Sequence, residues 1–478
     1  MRFITTSILI FFAMALFSQD AFIRTYGMAG SFNEGRGVVA FSDTTYILLG
    51  NRTSPQGKAA AWLFKINKSG EIIWEKYFDS YDVSSVENLS KYDDTSVLIA
   101  GTALKDNMYY MLAARVDTSG NVIWENTYGS DLWSKGYCAV SDDLGNVFLS
   151  GYVQNTDSTG QDISLFKIDG NNGDTILSKK INDGFNDRGV YIDVFSDGSV
   201  GLASHSLDGS YKDKYSKLWL FDKSLDTLWT RKVQFEDSTA SIRMVNCLAE
   251  DSYNRIVLGG YLVPDTSDVI RFWYGCINFW GNNVYEQIFQ PLFLKNITRA
   301  IYDEKGQGHF VGSMIDFFGV VKSDVGYWLD SLGLLRIEVF LEESEDFGYD
   351  LDIAADKGMV FIGTTNGYGP GVTNIFFIKV GPDYKYKNTD HAHYTPTKDY
   401  EDKNIFIFPN PSNGYFQIDV PNDDTYKINI YSLHGKLVKS GTYKQGDIFA
   451  INELEDGIYI VRALSKNKSF SFKLILQK

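Results

Sequence analysis

Five histidines and three cysteines are all the imidazoles and thiols available for chemistry in this 478-residue chain. His205 and His309 lie within or beside apolar runs, where a structural imidazole satisfied by a neighbour is the expectation. His391 and His393 make a His-x-His pair with no evident third ligand, and a structural zinc takes four. Cys138, Cys247 and Cys276 are odd in number, widely scattered and each set in a strand-like run, so buried thiols are expected rather than a disulfide framework or a metal site. No Gly-x-Ser-x-Gly elbow, His-Glu-x-x-His or phosphate-binding Gly-x-x-x-x-Gly-Lys-Ser/Thr occurs. Asp169-Gly170-Asn171-Asn172-Gly173-Asp174 has the oxygens of a calcium loop but lacks the bidentate Glu at the EF-hand spacing. It also falls where other parts of the sequence place a hairpin turn, so a turn is expected, with calcium the alternative and no other cofactor implied. The acidic pairs Glu342-Glu343 and Glu345-Asp346 read as a solvated charge run, and nothing in their spacing sets two carboxylates across a sugar.

One pattern does suggest a site. Glu34-Gly35-Arg36-Gly37, Lys135-Gly136, Asp187-Arg188-Gly189 and Phe347-Gly348 each put a polar or aromatic residue beside glycine, just before an apolar run. Trp133 and Tyr137 are close enough to stack a sugar or a peptide. Arg36, Trp133, Lys135, Tyr137 and Arg188 are therefore candidate ligand-binding residues. The competing reading is a recurrent structural turn in which glycine permits close backbone approach.

The elements that would position these residues come from a repeat. Apolar runs end at Gly50, Gly101, Gly151, Ser204, Gly260, Ser313 and Thr364, so the period holds near 50 residues throughout. After each of the first six comes a second apolar stretch, a turn, and a strand centred on a bulky residue, as in Ile-Ile-Trp74, Val-Ile-Trp124 and Thr-Leu-Trp229. With the strand that leads into each run, every period holds four strands, the content of a propeller blade. The seventh period lacks a convincing fourth strand. Ala21 to Gly27 resembles Ile72 to Phe78, with Ile23 one period before Trp74, and so supplies it. Residues 19–385 are thus expected to form a seven-bladed β-propeller whose N-terminal strand completes the last blade, leaving only short protected edges. In such a ring the first strand of each unit lines the channel, so the candidate residues would surround one mouth of it.

This pattern resembles the propeller repeats common in exported microbial proteins, in which an Asp-Gly-rich turn precedes the apolar run and a Gly-x-x-x-Trp strand follows. Asp142 to Val147 and Asp197 to Val200 carry the first feature, Gly70 to Trp74 and Gly120 to Trp124 the second. The tryptophan-bearing repeats are also similar to those of quinone-dependent dehydrogenases, but the calcium ligands and cofactor clamps those need cannot be assembled from this sequence.

Composition agrees with an all-β exported chain. Aromatics are 15% of residues and 43 glycines punctuate runs of branched and aromatic side chains. A net charge of −15 argues against a nucleic-acid partner, which needs clustered Lys and Arg. Met1 to about Ser18 reads as a signal peptide: Arg2 leads, Phe3 to Phe17 is apolar, and small residues precede Gln19. No later stretch is apolar enough for a transmembrane helix.

Residues 386–403 are polar and aperiodic and read as a linker. Period-two alternation returns over 404–478, predicting a small antiparallel β-sandwich. Pro409-Asn410-Pro411-Ser412-Asn413-Gly414, Leu433-His434-Gly435-Lys436 and Leu454-Glu455-Asp456-Gly457-Ile458-Tyr459 follow in order to the C-terminus. These resemble the motifs of type IX secretion sorting domains, with Pro409, Asn410, Pro411, Gly414, Gly435, Lys436, Gly457 and Tyr459 at the matching positions. The resemblance implies export across both membranes, with the type IX translocon as a partner and a secreted or surface-attached product. The prolines restrict the opening strand, and Gly435 and Gly457 are expected to permit tight turns. The functional expectation is a non-enzymatic scaffold for an extracellular protein or polysaccharide. The alternatives are a glycan-active hydrolase or lyase built from several blades, and a purely structural surface component.

Overall fold

The computed structural model describes residues 21–55, 57–129, 132–155, 160–184, 186–207, 214–234, 242–263, 271–288, 294–315, 323–331, 334–340, 346–382, 391–394, 406–419, 425–432, 436–444, 446–464 and 469–478. All regular structure among them is β. The expected signal peptide lies outside these residues, as do Leu433, His434, Gly435 and the Glu342–Glu345 acids.

The apolar runs are strands buried on both faces. In Tyr46–Thr53, Tyr46 and Leu48 pack toward Phe377 and Val360, while Ile47 and Leu49 pack toward Val97 and Ile99. Side chains alternate across a strand, so a continuous apolar run marks a sheet with another sheet on each side. The first sheet pairs Phe32–Ala40, Tyr46–Thr53, Ala59–Ile66 and Ile72–Phe78 in chain order, and each later sheet repeats that antiparallel plan. Seven such sheets follow one another among the described residues.

Their first strands are Phe32–Ala40, Val83–Asp93, Ser134–Ser141, Asn186–Val194, Ile242–Glu250, Leu294–Tyr302 and Asp346–Ile353. Each lies against the next, and the last lies against the first, so the sheets radiate from an axis as a propeller. The seventh sheet takes its fourth strand from the other end of the chain. Phe22–Tyr26 pairs antiparallel with Asn374–Val380 and is buried along its whole length.

Pairing corrects two alignments. The residue opposite the innermost strand just before its irregularity is Gly312 in the sixth sheet and Gly363 in the seventh, one earlier than Ser313 and Thr364. Phe22, paired with Lys379, occupies the station of Trp74, paired with Lys65, so Ile23 is not its equivalent. Within the stretch read as a linker, His391–Tyr394 forms a strand parallel to Phe22–Tyr26, outside it on the seventh sheet.

The sorting-domain region forms a three-stranded sheet, Phe406–Phe408, Tyr415–Asp419 and Phe449–Ala450, and a four-stranded sheet built on Tyr426–Ser432, Leu437–Tyr443, Gly457–Leu464 and Ser469–Leu476. Phe416, Ile418 and Phe449 from the first share one core with Ile428, Ile430, Val461 and Leu474 from the second.

Candidate functional site

Every innermost strand carries a bulge at the same place, where one extra residue leaves the ladder. The extra residues are Arg36, Glu87, Tyr137, Val190, Asn246, Thr298 and Tyr349, each fourteen positions before the small residue of the adjacent strand (Arg36 and Gly50, Tyr137 and Gly151, Tyr349 and Gly363). Bulges re-aim side chains. All seven of these line one cavity of about 310 Å³ on the axis, together with Asn88, Cys138, Tyr191, Arg299 and Asp350.

The small residue is dictated by the same geometry. A Cβ on Gly101, Gly151, Gly260 or Gly363 would sit well inside contact distance of the carbonyl of Ser85, Lys135, Met244 or Phe347. Only the fourth sheet has a side chain there, Ser204, whose hydroxyl donates to the Lys217 carbonyl.

Two sides of the ring differ. On one side the bulged residues stitch neighbours together: Asn246 Nδ2 donates to the Ile297 carbonyl (2.8 Å), and Thr298 Oγ1 to that of Gly348 (2.8 Å). On the other, Tyr349, Arg36, Glu87 and Tyr137 contact side chains. Arg36 lies 4.5 Å above the Tyr349 ring, donates to Glu34 at 2.7 Å and sits 3.6 Å from Glu87. Glu87 also takes Lys135 Nζ at 2.7 Å, and that ammonium lies over the Tyr137 ring. Burial is the largest influence and works against the charges of Arg36 and Lys135. Glu87, together with Tyr349 and Glu34 around Arg36 and with Tyr137 and Tyr152 around Lys135, outweighs it, so both pKa values stand above their ordinary values. Burial likewise pushes the Tyr137 and Tyr349 hydroxyls up.

Asp350 accepts from the Val38 N–H (3.0 Å) and faces Arg299 Nε at 3.2 Å. Burial raises it to about 6 despite both partners. Asp350 thus ties the seventh innermost strand to the first, and Asp352, accepting from the Ala40 N–H, repeats the clasp.

Of the residues expected at the mouth, Arg36 and Tyr137 line the cavity. Lys135 reaches it through Glu87. Arg188, two residues before the bulge, donates to Gln161 and lies over the Tyr152 ring. Trp133 stands apart, 52% exposed and edge-on to Tyr109 at 5.5 Å. Glu87 and Arg299 were missed because their units have no glycine before the bulge, and Tyr191, Tyr349 and Asp350 because the reading stopped at the glycine instead of following the strand past it. The fourteen-residue offset would have found the bulged ones. A second, open depression of about 420 Å³ lies on the outer face, between Trp229, Arg231 and Lys232 and the exposed Trp280.

The other candidates resolve into structural parts. His205 Nε2 bonds the Val245 carbonyl (2.8 Å), as Asn51 bonds Val86, and burial lowers its pKa to about 4. His309 is buried near Asp303, and burial likewise lowers its pKa. The three thiols are free and buried, with Cys138 pushed up to about 12. Asp169–Asp174 is a turn in which the Gly173 N–H donates to the Asp169 carbonyl and the Asn171 N–H to the Asp169 carboxylate. Among the described residues no three His, Cys, Asp or Glu side chains cluster as metal ligands, and no helix is long and apolar enough to cross a membrane.

In the C-terminal domain the Pro409–Gly414 segment is clipped to the final strand. Asn410 Oδ1 accepts from the Ile475 N–H, and Ser412 exchanges backbone bonds with Ile475 and Gln477. Pro409 and Pro411 follow cis peptide bonds. Gly414, at φ 121°, is the residue that needs left-handed freedom. Gly457 does not: it opens a strand opposite Leu476, contrary to the expected tight turn. Lys436 is exposed, its carbonyl accepting from the Ser432 N–H, and Tyr459 Oη donates to the Glu455 carbonyl.

Residues 406–477 match the secretion system C-terminal sorting domain. The chain therefore carries a type IX sorting tail, which marks it for export to the cell surface or the extracellular space. No curated protein sequence matches the chain. Similar solved structures include the β-propeller domain of the Trilobed protease from Pyrococcus furiosus (11% identity, TM-score 0.45, 80% of this chain and 97% of that one). The α-L-arabinofuranosidase Arb93A from Fusarium graminearum is another (11%, 0.44, 65% and 97%), and so is the acylaminoacyl peptidase of Pyrococcus horikoshii (11%, 0.45, 82% and 59%). Likeness this distant carries neither activity nor substrate across.

Proposed function

We propose that this exported chain is a seven-bladed β-propeller that binds an extracellular protein or polysaccharide at the mouth of its axis, with a sandwich-type sorting tail addressing it to the type IX translocon. One observation supports the reading above others: seven identical bulges aim seven mostly different side chains into one cavity. A scaffold that repeats its backbone while varying the side chains it presents is how binding surfaces are commonly built. The reading is non-enzymatic because both carboxylates facing the cavity already hold partners, Glu87 two cations and Asp350 a backbone N–H and an arginine. A general acid needs a free path to a substrate oxygen.

The test is binding of the purified chain to arrays of extracellular polysaccharides and proteins, repeated with Arg36→Ala and Tyr349→Ala. Loss of the signal in both variants, with Trp280→Ala unaffected, is the expected result. Binding that survives both and falls with Trp280→Ala moves the site to the outer depression. Turnover of a polysaccharide abolished by Asp350→Asn would replace binding with hydrolysis or lysis.

A further inference from the structure

Two arginines that line the axial cavity keep guanidinium nitrogens that no described residue engages in a hydrogen bond. Arg36 Nε and Arg299 Nε and Nη1 are buried without a hydrogen-bond partner among the described residues. Arg299 Nε lies 3.2 Å from Asp350 Oδ1, close enough for an ion pair but off line for a hydrogen bond. The acids that face these groups are engaged: Glu34 by Arg36, Glu87 by Arg36 and Lys135, Asp350 by the Val38 N–H and Arg299. The cavity thus offers donors and no spare carboxylate. A buried donor left without an acceptor is costly, and a ligand that brings the acceptor recovers that cost.

The remaining walls narrow the ligand further. Each guanidinium lies over an aromatic ring, Arg36 over Tyr349 and Arg299 over Tyr191 at 5.1 Å. A planar guanidinium fork matches the two oxygens of a carboxylate. A volume of about 310 Å³ stands at the small end of ligand sites, room for one sugar ring or one amino acid.

We propose that the axial cavity takes a small ligand bearing a carboxylate, a sugar acid or an amino acid, free or at the end of a chain, whose oxygens accept from Arg299 and Arg36. This rests on the reading of the axis as the binding mouth.

Calorimetric titration of the full chain with D-glucuronate, L-glutamate, D-glucose and sulfate tests it, alongside Arg299→Lys and Arg36→Gln. Arg299→Lys keeps the charge beside Asp350 while removing the fork, and thermal melting of both variants confirms that they fold. The expected result is binding of glucuronate or glutamate, none of glucose, and at least about a tenfold loss in each variant. Preference for glucuronate identifies a sugar acid, and preference for glutamate an amino acid. Sulfate binding as tightly as either carboxylate overturns the carboxylate assignment, and so does carboxylate binding that both variants leave intact. If no carboxylate binds while a neutral polymer still docks in an Arg36-dependent way, the ligand class falls and the axial reading stands. If nothing docks at the axis at all, both fall.

Discussion

The outer rim and the axis of this propeller are built from equally strict repeats, yet only one repeats its side chains. At the rim, Trp74, Trp124 and Trp229 each donate their indole N–H to a carbonyl in the turn of the next sheet, those of Thr118, Gly170 and Phe279. Gly120 and Gly173 in those turns lie flat against the preceding indole, so the Gly-x-x-x-Trp spacing is a contact between neighbouring sheets. The closing strand does the same work with other residues. Arg24 Nε donates to the Ser69 carbonyl, and Tyr26 to Gly70 as Tyr128 does to Gly173. At the axis the backbone is just as regular, but the bulged residues run Arg, Glu, Tyr, Val, Asn, Thr and Tyr. A residue type repeated with the backbone is doing the backbone's job. Of those that vary on a constant backbone, Asn246 and Thr298 still hold neighbouring sheets, and the others are free to serve something else.

Rim and scaffold substitutions are expected to cost stability and leave ligand contacts alone. Trp124→Ala removes a buried indole and its bond to Gly170, and is expected to cost about 3–5 kcal/mol in denaturant unfolding with binding unchanged. Stability loss below about 1 kcal/mol would break the claim that the rim holds neighbouring sheets together. Gly260→Ala drives a Cβ into the Met244 carbonyl and is expected to cost ~2 kcal/mol by overpacking, read in the same way.

An inner-strand acid outside the cavity sharpens the comparison through pH. Burial raises Asp193 to about 7, against an ordinary aspartate near 3.8. The folded state therefore holds a proton that the unfolded chain releases, and stability falls as pH rises from about 4 through 7. Asp193→Asn keeps an acceptor for the Val194 N–H without the charge. It is expected to raise the melting temperature above pH 7, by the equivalent of ~4 kcal/mol, with the gap closing by pH 4. A gap independent of pH would sever the effect from the charge.

Much of this was legible in the sequence, and the failures have physical causes. The apolar runs betrayed the sheets because burial on both faces removes polar alternation. Phe22–Tyr26 was identifiable as the missing strand by content, but its register was misread by one residue. In five of the other six sheets the outermost hairpin carries an irregularity, as between Lys65 and Ile66, and a strand arriving from the far terminus has no hairpin to count through. Ser313 and Thr364 were taken for Gly312 and Gly363 because two small residues adjoin there. His391–Tyr394 is four residues of mixed character, too short for periodicity. At the axis, glycine exposed only the sheets that use it before the bulge. Val86, Val245 and Ile297 hide the others, so Glu87, Asn246 and Thr298 went unnoticed.

The smallest stability change is expected where the binding change is greatest. Replacing Arg36, Glu87 and Lys135 together by glutamine removes Glu87 with both cations it pairs, and only the half-exposed Glu34 loses a partner, so no buried ion is stranded. Melting this variant beside the native chain, and titrating both with the ligand that the arrays identify, puts the contrast between rim and axis to its most direct trial. A melting temperature within a few degrees of native with binding abolished is the predicted result. A protein that unfolds, or one that binds as before, would contradict it.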